Sequence, residues 1–463
     1  MATKDTFGRK PQNFKGTRDY DGIDAKKREF VISQIRNVFE LFGFEPLKTP
    51  AIELDRILTD KYGEEGETKR FRTSARGEIK PDNQGGLRYD HTVPLARFMA
   101  MNPSKKVLPY RRYAIGDVWR NEDVQCGRLR EFTQCDFDTV GSSSLVVDAE
   151  ILAINYQVLT NLGFPAGSFI LQYNDRRLLN VMTNTIGCND ANAIEVLRAW
   201  DKLEKVGLEA TAEELRNKIG LPSTASESEK KEVDDLINNY LKYSEELLKA
   251  EGKLDYLQSV LGDDGQDALK NINNIYQYAL SMGVPQTSIS FNPLLARGLD
   301  YYTGPIFETV IAQSGIGSIS GGGRFDKLIS DLGGPNLPAS GSSFGLERVM
   351  SVMEQLGIKT PVGNAAPVFL ALFDKENLDL VKYSFRVASK LRLDGIPVEV
   401  YTGANAKLGK QIEIANRKGA QIVLILGDRE LSEQKVTVKL LSNGEQFSVD
   451  LQDLTQKLQS LLS

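Results

Sequence analysis

YRRYAIGDVWRNEDVQCGRLREFTQCDFD, residues 110–138, holds two stretches of alternating character joined by a loop dense in charge. Alternation with a period of two is the mark of a β-strand, so the segment predicts an antiparallel pair. In the second strand this period puts Phe132, Gln134, Asp136 and Asp138 on one face and Thr133, Cys135 and Phe137 on the other. The first face is mostly polar, with acceptors spaced along it, and the second is not strongly apolar. Arg120 stands where the first strand enters the loop. A solvated hairpin face is the ordinary explanation of such a pattern, and the floor of a polar site is the other.

Upstream, Phe30, Val31, Ile35, Val38, Phe39 and Phe42 recur at three- and four-residue steps and predict an amphipathic helix from Ile23 to near Gly43. FEPLKTPAIEL (44–54) follows, with prolines that suit an edge or a bend. In LRYDHTVPLARFMA (87–100), Thr92 is the expected helix N-cap with Pro94 in the first turn, which leaves Asp90 and His91 at a strand-to-helix corner. His91 has no evident catalytic partner in the sequence, so a core position is its plainest reading.

Downstream, about 175–285 is charged and helix-favouring, as in KKEVDDLINNYLKYSEELLKAEGKLDYL (230–257), and reads as a helical insertion into a strand-rich domain. LARGLDYYTGPIFE (295–308) then gathers an arginine, an aspartate and two tyrosines ahead of an apolar strand. SISGGGRFDKLISDLGG (318–334) has three glycines directly after a strand-like segment, where a plain turn or a close backbone approach to a ligand would each use them. FGLERVMSVMEQLG (344–357) predicts a helix with Leu346, Val349, Met350, Met353 and Leu356 on one stripe. Arg348 falls in its first turn, where the helix dipole disfavours a cation unless an anionic ligand meets both. After a linker, GIKTPVGNAAP (357–367), strands and helices alternate as expected of a small α/β domain with a parallel sheet, closed by a hairpin turning at Asn443-Gly444.

Bulk composition narrows the chemistry. With 463 residues, two or three domains are expected, and 41% hydrophobic with 26% charged residues is a globular balance. No apolar run reaches the ~18 residues of a membrane span, and the opening has no secretory core, so an intracellular, cytoplasmic protein is expected. The basic opening leaves a mitochondrial address open, although Asp5 and the missing amphipathic repeat argue against it. The three cysteines form no Cys-x-x-Cys pair, and the single histidine excludes a His-rich zinc site and any two-imidazole mechanism. Carboxylates, guanidiniums and phenols must carry the chemistry. The net charge of −5 gives no bulk attraction to nucleic acid, though a local basic face would suffice for it.

Taken together these segments resemble the class II aminoacyl-tRNA synthetases, and among them the histidyl-tRNA synthetase family. RNEDVQCGRLREF is similar to the second class-defining motif, FGLERV to the third, and the helix from Ile23 with the strand ending at Pro50 to the first. RGLDYYTG resembles the signature peculiar to histidyl enzymes, with LRYDHTVPLARF and GGGRFD in support. The resemblance runs from about Lys15 to the C-terminus. It implies an α+β class II catalytic domain, an antiparallel sheet with helices, over 15–362 behind a tail of 1–14, and an α/β anticodon-binding domain over 366–463.

It also implies roles. Arg120 and Arg297 would be catalytic, meeting the ATP α-phosphate and the amino-acid carboxylate, with Arg348 at the γ-phosphate. Glu122 and Arg130 would help hold ATP, and Phe132 would stack on adenine. Asp90, His91 through its backbone, Thr92, Gln134, Asp138, Tyr301 and Tyr302 would form the histidine pocket. Magnesium would accompany ATP, tRNA(His) would be the acceptor, and a homodimer would be the working form. Two departures stand out: Phe325 where the family usually has tyrosine, and His91 at a position commonly apolar. Another class II enzyme, prolyl or threonyl, is one alternative. A non-catalytic tRNA sensor or a regulatory subunit of ATP phosphoribosyltransferase is the other, and such relatives are expected to lose the arginines that Arg120, Arg297 and Arg348 supply.

Overall fold

The computed structural model describes residues 11–59, 61, 68–74, 84–125, 127–220, 226–250, 252–296, 301–311, 315–363, 366–372, 374–404 and 407–462. Two compact units separate: Arg28–Lys359 with the segment ahead of Tyr20, and Thr360–Ser463 with Tyr20–Lys27.

The first unit holds α1 (Gly22–Leu41) from Arg28 onward and then β1 (Glu45–Pro46). Then come β2 (Ile52–Leu54), the single turn α2 (Asp55–Leu58), β3 (Arg72–Ser74), β4 (Gln84–Leu87) and α3 (Thr92–Met101). Strands β2, β4 and β3 form a small antiparallel sheet of their own. The hairpin strands β5 (Tyr110–Trp119) and β6 (Glu131–Val140) pair over their full length. After α4 (Leu145–Asn161) and β7 (Phe169–Asp175), the helices α5 (Arg176–Thr185), α6 (Asp190–Val206), α7 (Leu208–Ile219), α8 (Glu227–Lys249) and α9 (Lys253–Ser281) follow in succession. The chain returns through β8 (Ile289–Phe291), β9 (Pro305–Ile311), β10 (Ser320–Arg324), β11 (Ala339–Gly345) and α10 (Leu346–Gln355). The large sheet runs β1-β5-β6-β11-β10-β9-β7-β8, antiparallel except for the edge pairs β1–β5 and β7–β8.

Helix α1 covers one face of this sheet because its apolar stripe, Val31, Ile35, Val38 and Phe39, is wholly buried there. The ring of Phe39 lies 4.9 Å from that of Phe137, and Phe44 packs edge-on at 5.7 Å. Cys135 and Phe137 are therefore fully buried core residues, which corrects the expectation that this face of β6 is not strongly apolar. Two residues suffice because a central strand under a helix has nothing else to cover. The helices α5–α9 do not form a separate core: Trp200, Tyr240 and Ile272 belong to the same apolar cluster as Val31 and Phe137.

The glycine triplet is not a turn. Gly321, Gly322 and Gly323 lie inside β10, hydrogen-bonded on both sides. A Cβ on Gly322 would stand 2.0 Å from the carbonyl oxygen of Gly341, and one on Gly341 would stand 2.1 Å from Asp138 Oδ1. Strands β10, β11 and β6 thus approach where only glycine fits, and pairing on both flanks offsets glycine's poor strand preference. The same logic explains β11, whose ASGSSFG composition gives no strand signal. Past the triplet, Arg324 Nη2 donates to Asp148 Oδ2 of α4 at 2.6 Å and Ser340 Oγ to Asp148 Oδ1 at 2.8 Å, so this buried charge is both paired and hydrogen-bonded.

The second unit comprises β12 (Val368–Ala371), α11 (Leu378–Leu393), β13 (Val398–Val400), α12 (Leu408–Arg417), β14 (Ile422–Ile425), α13 (Asp428–Glu433), β15 (Lys435–Leu440), β16 (Gln446–Asp450) and α14 (Leu454–Leu462). Its sheet runs β13-β12-β14-β15-β16, with β12 parallel to both neighbours and the hairpin β15–β16 antiparallel beyond. Successive β12 residues face opposite cores: Val368 and Leu370 meet Leu380 and Val387 of α11, while Phe369 and Ala371 meet Ala415 of α12.

Gly322→Ala is expected to lower stability by at least the ~1–3 kcal/mol of an overpacked core, because the clashing atoms are backbone. Gly317→Ala, with nothing near its added carbon, is the control. Equal melting temperatures for the two variants would contradict the close approach.

Candidate active site

The polar face of β6 lines a cleft of about 220 Å³. Phe132, Gln134, Asp136 and Asp138 form one side, as their alternation requires, and Arg120 closes the end of β5. Asp90 and Thr92 enter from the start of α3, Tyr301 and Tyr302 from the segment before β9, and Arg348 from the first turn of α10. Glu122 contributes from the hairpin loop. Among the residues expected from sequence, His91 and Arg130 are not part of the lining. Arg297 lies outside the described residues, as do Gly298 to Asp300 of the same signature.

The corner before α3 departs from expectation. Thr92 is the first helical residue rather than the cap, His91 occupies the cap position without a side-chain bond, and Asp90 does the capping. Asp90 Oδ1 accepts from the N–H groups of Thr92 at 3.0 Å and Val93 at 3.1 Å. A carboxylate suits this end because it meets both the open donors and the positive pole of the helix. The His91 ring turns into the protein, 4% exposed, with Nε2 3.1 Å from the Gly116 carbonyl oxygen. Burial lowers its pKa to about 3, with Arg88 and Arg112 adding to the effect, so at neutral pH the ring is uncharged and Nε2–H donates. The His91 carbonyl accepts from Arg112 Nη2 at 3.0 Å.

Arg112 has no exposed surface and lies opposite Asp138 on the neighbouring strand. Its Nη2 is 2.6 Å from Asp138 Oδ2, an ion pair by distance whose angle does not make a hydrogen bond. Burial pushes Asp138 up to about 7; Arg112 opposes this, and Asp136 and Asp90 reinforce it. Asp136 is raised as well, by burial, against the pull of Arg112, Ser343 and Arg120. For Arg120 burial works against the charge, but Tyr89, Asp90, Glu122 and Tyr301 outweigh it and its pKa rises. Arg120 Nε donates to the Tyr89 carbonyl at 3.0 Å, and its guanidinium lies 4.3 Å from the Tyr89 ring and 5.3 Å from that of Phe132. A flat cation between two rings is held in orientation as well as in place.

At the far end, Arg348 Nη1 donates to the Ser318 carbonyl at 2.8 Å. Its neighbour Glu347 pairs with Arg28 of α1 at 2.9 Å and accepts from the Thr133 N–H at 3.1 Å. Leu346, Val349, Val352 and Met353 form the buried stripe of α10, whereas Leu356, expected in it, lies past the helix end and is exposed. Glu122 pairs with Arg128 Nε at 2.7 Å, and its carbonyl accepts from Arg130 Nε at 3.1 Å. Arg130 thus braces the loop from behind, its guanidinium 5.8 Å from the ring of Phe14.

Sequence reasoning did not assign Asp136, Ser342, Ser343 or Glu347, all of which line the cleft. Asp136 was detectable, since it shares a face with Gln134 and Asp138. The serines of β11 carried no periodic signal. Among the described residues no three His, Cys, Asp or Glu side chains converge to hold a metal ion.

Residues 16–349 match the family described as histidyl-tRNA synthetase, and residues 367–461 match the anticodon binding domain. The histidine–tRNA ligase of Cytophaga hutchinsonii is 34% identical over 97% of this chain and 99% of its own length. That of Rhodopirellula baltica is 37% identical over 95% of each. The crystal structure of histidyl-tRNA synthetase from Nostoc sp. PCC 7120 superposes with a TM-score of 0.75 at 26% identity, covering 96% of this chain and 97% of that one.

The His91 ring makes stability depend on pH in a definite sense. Unfolded, it titrates near 6.5; folded, near 3. Below pH ~6.5 the unfolded chain therefore binds a proton that the folded chain does not, and stability falls as pH falls, by ~1.4 kcal/mol per unit. In His91→Gln the unfolding free energy should change by ~2 kcal/mol less than in the wild type between pH 6 and 4.5. Identical pH profiles would show that the ring is not held uncharged.

Proposed function

Since this chain belongs to the histidyl-tRNA synthetase family and is a histidine–tRNA ligase, we propose that the cleft beside β6 activates L-histidine with ATP and passes it to tRNA(His). The histidine carboxylate attacks the α-phosphorus in line, forming the adenylate and expelling pyrophosphate. The terminal ribose hydroxyl of the tRNA then attacks the acyl carbon, and AMP leaves. In the first step two anions must meet, so the obstacle is electrostatic and the remedy is positioned cations; an ionised carboxylate needs no general base.

Arg120 and Arg297 supply that charge at the α-phosphate and the carboxylate, and Arg348 meets the γ-phosphate. Phe132 stacks on adenine, with Glu122 and Arg130 shaping the nucleotide loop. Asp90 with Thr92 takes the ammonium group. Gln134, Asp138, Tyr301 and Tyr302 surround the side chain, and His91 acts through its backbone. The observation that carries this reading is the gathering of Arg120 and Arg348 with Asp90, Gln134 and Asp138 in one cleft. Neither the prolyl or threonyl reading nor the non-catalytic one has a comparable observation in its favour.

Magnesium, on this reading, would accompany ATP and screen the charge of its phosphates. The second unit reads the anticodon, two copies associate through α1 and the strand ending at Pro50, and the enzyme works in the cytoplasm. Among the described residues no helix is long and apolar enough to cross a membrane.

Amino-acid-dependent ATP–pyrophosphate exchange is expected with histidine and not with proline or threonine. Exchange with either of the latter alone would replace the substrate assignment. Arg120→Ala should lower the exchange rate by about 10²–10³ or more while leaving the melting temperature near that of the wild type. Arg120→Lys should recover little, since an ammonium cannot be held flat between Tyr89 and Phe132.

A further inference from the structure

Arg28 of α1 lies outside the cleft lining, with its side chain largely buried. Its Nη1 is 2.9 Å from Glu347 Oε1, and its Nη2 donates to Thr133 Oγ1 at 2.9 Å. The Thr133 N–H donates to the same carboxylate, at 3.1 Å to Oε2, while the Thr133 hydroxyl donates to Asp117 Oδ1 at 2.7 Å. One guanidinium thus joins α1, both strands of the β5–β6 hairpin and the first turn of α10. Glu347 itself is buried, lines the cleft and precedes Arg348 in the chain. Burial works against its charge, and Arg28 is the largest influence in favour of that charge, ahead of the Glu347 and Thr133 N–H groups.

What this arrangement does for the chemistry rests on the reading that the ATP phosphates lie at Arg348. On that reading Glu347 puts a carboxylate into the wall that receives a polyanion, and a like charge there opposes binding. A buried carboxylate stripped of its partner is also costly and is drawn towards another cation, and Arg348 is the guanidinium one residue along the chain. Arg28 answers both difficulties, because it neutralises Glu347 and fixes its orientation against Thr133. A guanidinium suits the task, since its planar fork reaches a carboxylate and a hydroxyl at once. We propose that Arg28 is a positioning residue for histidine activation, neutralising and orienting Glu347 so that the Arg348 end of the cleft accepts the phosphates of ATP.

The test follows ATP–pyrophosphate exchange at about pH 8, which favours an ionised Glu347, together with single-turnover transfer from preformed histidyl-adenylate to tRNA(His), in which pyrophosphate has already left. Arg28→Gln should raise the ATP KM about tenfold or more while the histidine KM and the transfer rate stay within about twofold. Adding Glu347→Gln to it should bring the ATP KM back to within about threefold of the wild type, because no charge is then left unpaired. Arg28→Lys, which keeps the charge without the planar fork, should lose only about threefold, and it carries the test if the glutamine variant does not fold. An unchanged ATP KM, an equal weakening of ATP, histidine and transfer, or a double variant no better than Arg28→Gln would each overturn the proposal. An Arg348→Ala variant with a wild-type ATP KM would overturn the reading beneath it, whereas a raised KM there beside an unchanged one in Arg28→Gln would remove the proposal alone.

Discussion

The cleft exists because β10 and β11, which approach each other and β6 closely, carry almost no side chain. The α-carbon of Gly322 faces the backbone of Gly341, and the carboxyl of Asp138 occupies the place where a Gly341 Cβ would stand. A sheet built of ordinary residues would fill this volume with side chains. Here the interior of an eight-stranded sheet is left open enough for acidic and amide groups to line it. The glycines and serines of β10 and β11 are therefore a condition for the site rather than a feature of flexible loops.

Placing acids there has a cost, which the surroundings offset only in part. Asp90, Asp136 and Asp138 are all nearly inaccessible, and among the described residues the guanidiniums of Arg88, Arg112 and Arg120 act on them. Burial raises the pKa of both strand aspartates in spite of the arginines, because loss of water around the charged form outweighs their attraction. Such a site gains from a ligand that brings positive charge or N–H donors. Strain of this kind is commonly retained where it is used in binding.

The end of the cleft proposed for the nucleotide is organised differently. Arg120 is fixed by a carbonyl and two rings, Arg348 by the Ser318 carbonyl, and the first turn of α10 is tied through Glu347 to Arg28 of α1 and to Thr133 of β6. Cations that are held before a substrate arrives need not reorganise as charge develops, which is what the proposed roles of Arg120 and Arg348 require. The same ties make α1 part of the support of Arg348, so a helix that covers the core also steadies a residue of the cleft.

Most of the architecture was legible in the sequence, for reasons that are local. The period of two in residues 110–138 defined the hairpin and the polar face of β6, and the three- and four-residue spacing in α1 defined the helix that covers its other face. Ten of the residues expected at the site, from Asp90 to Arg348, line one cleft, because motif spacing follows from the strands and helix ends that bear them. What the sequence could not decide was contact between distant segments. Nothing local marks Gly321–Gly323 as strand, turns His91 inward against Gly116, or seats Arg112 against Asp138. Each of these depends on which strand lies alongside and how closely it approaches, and that is determined only when the chain has packed.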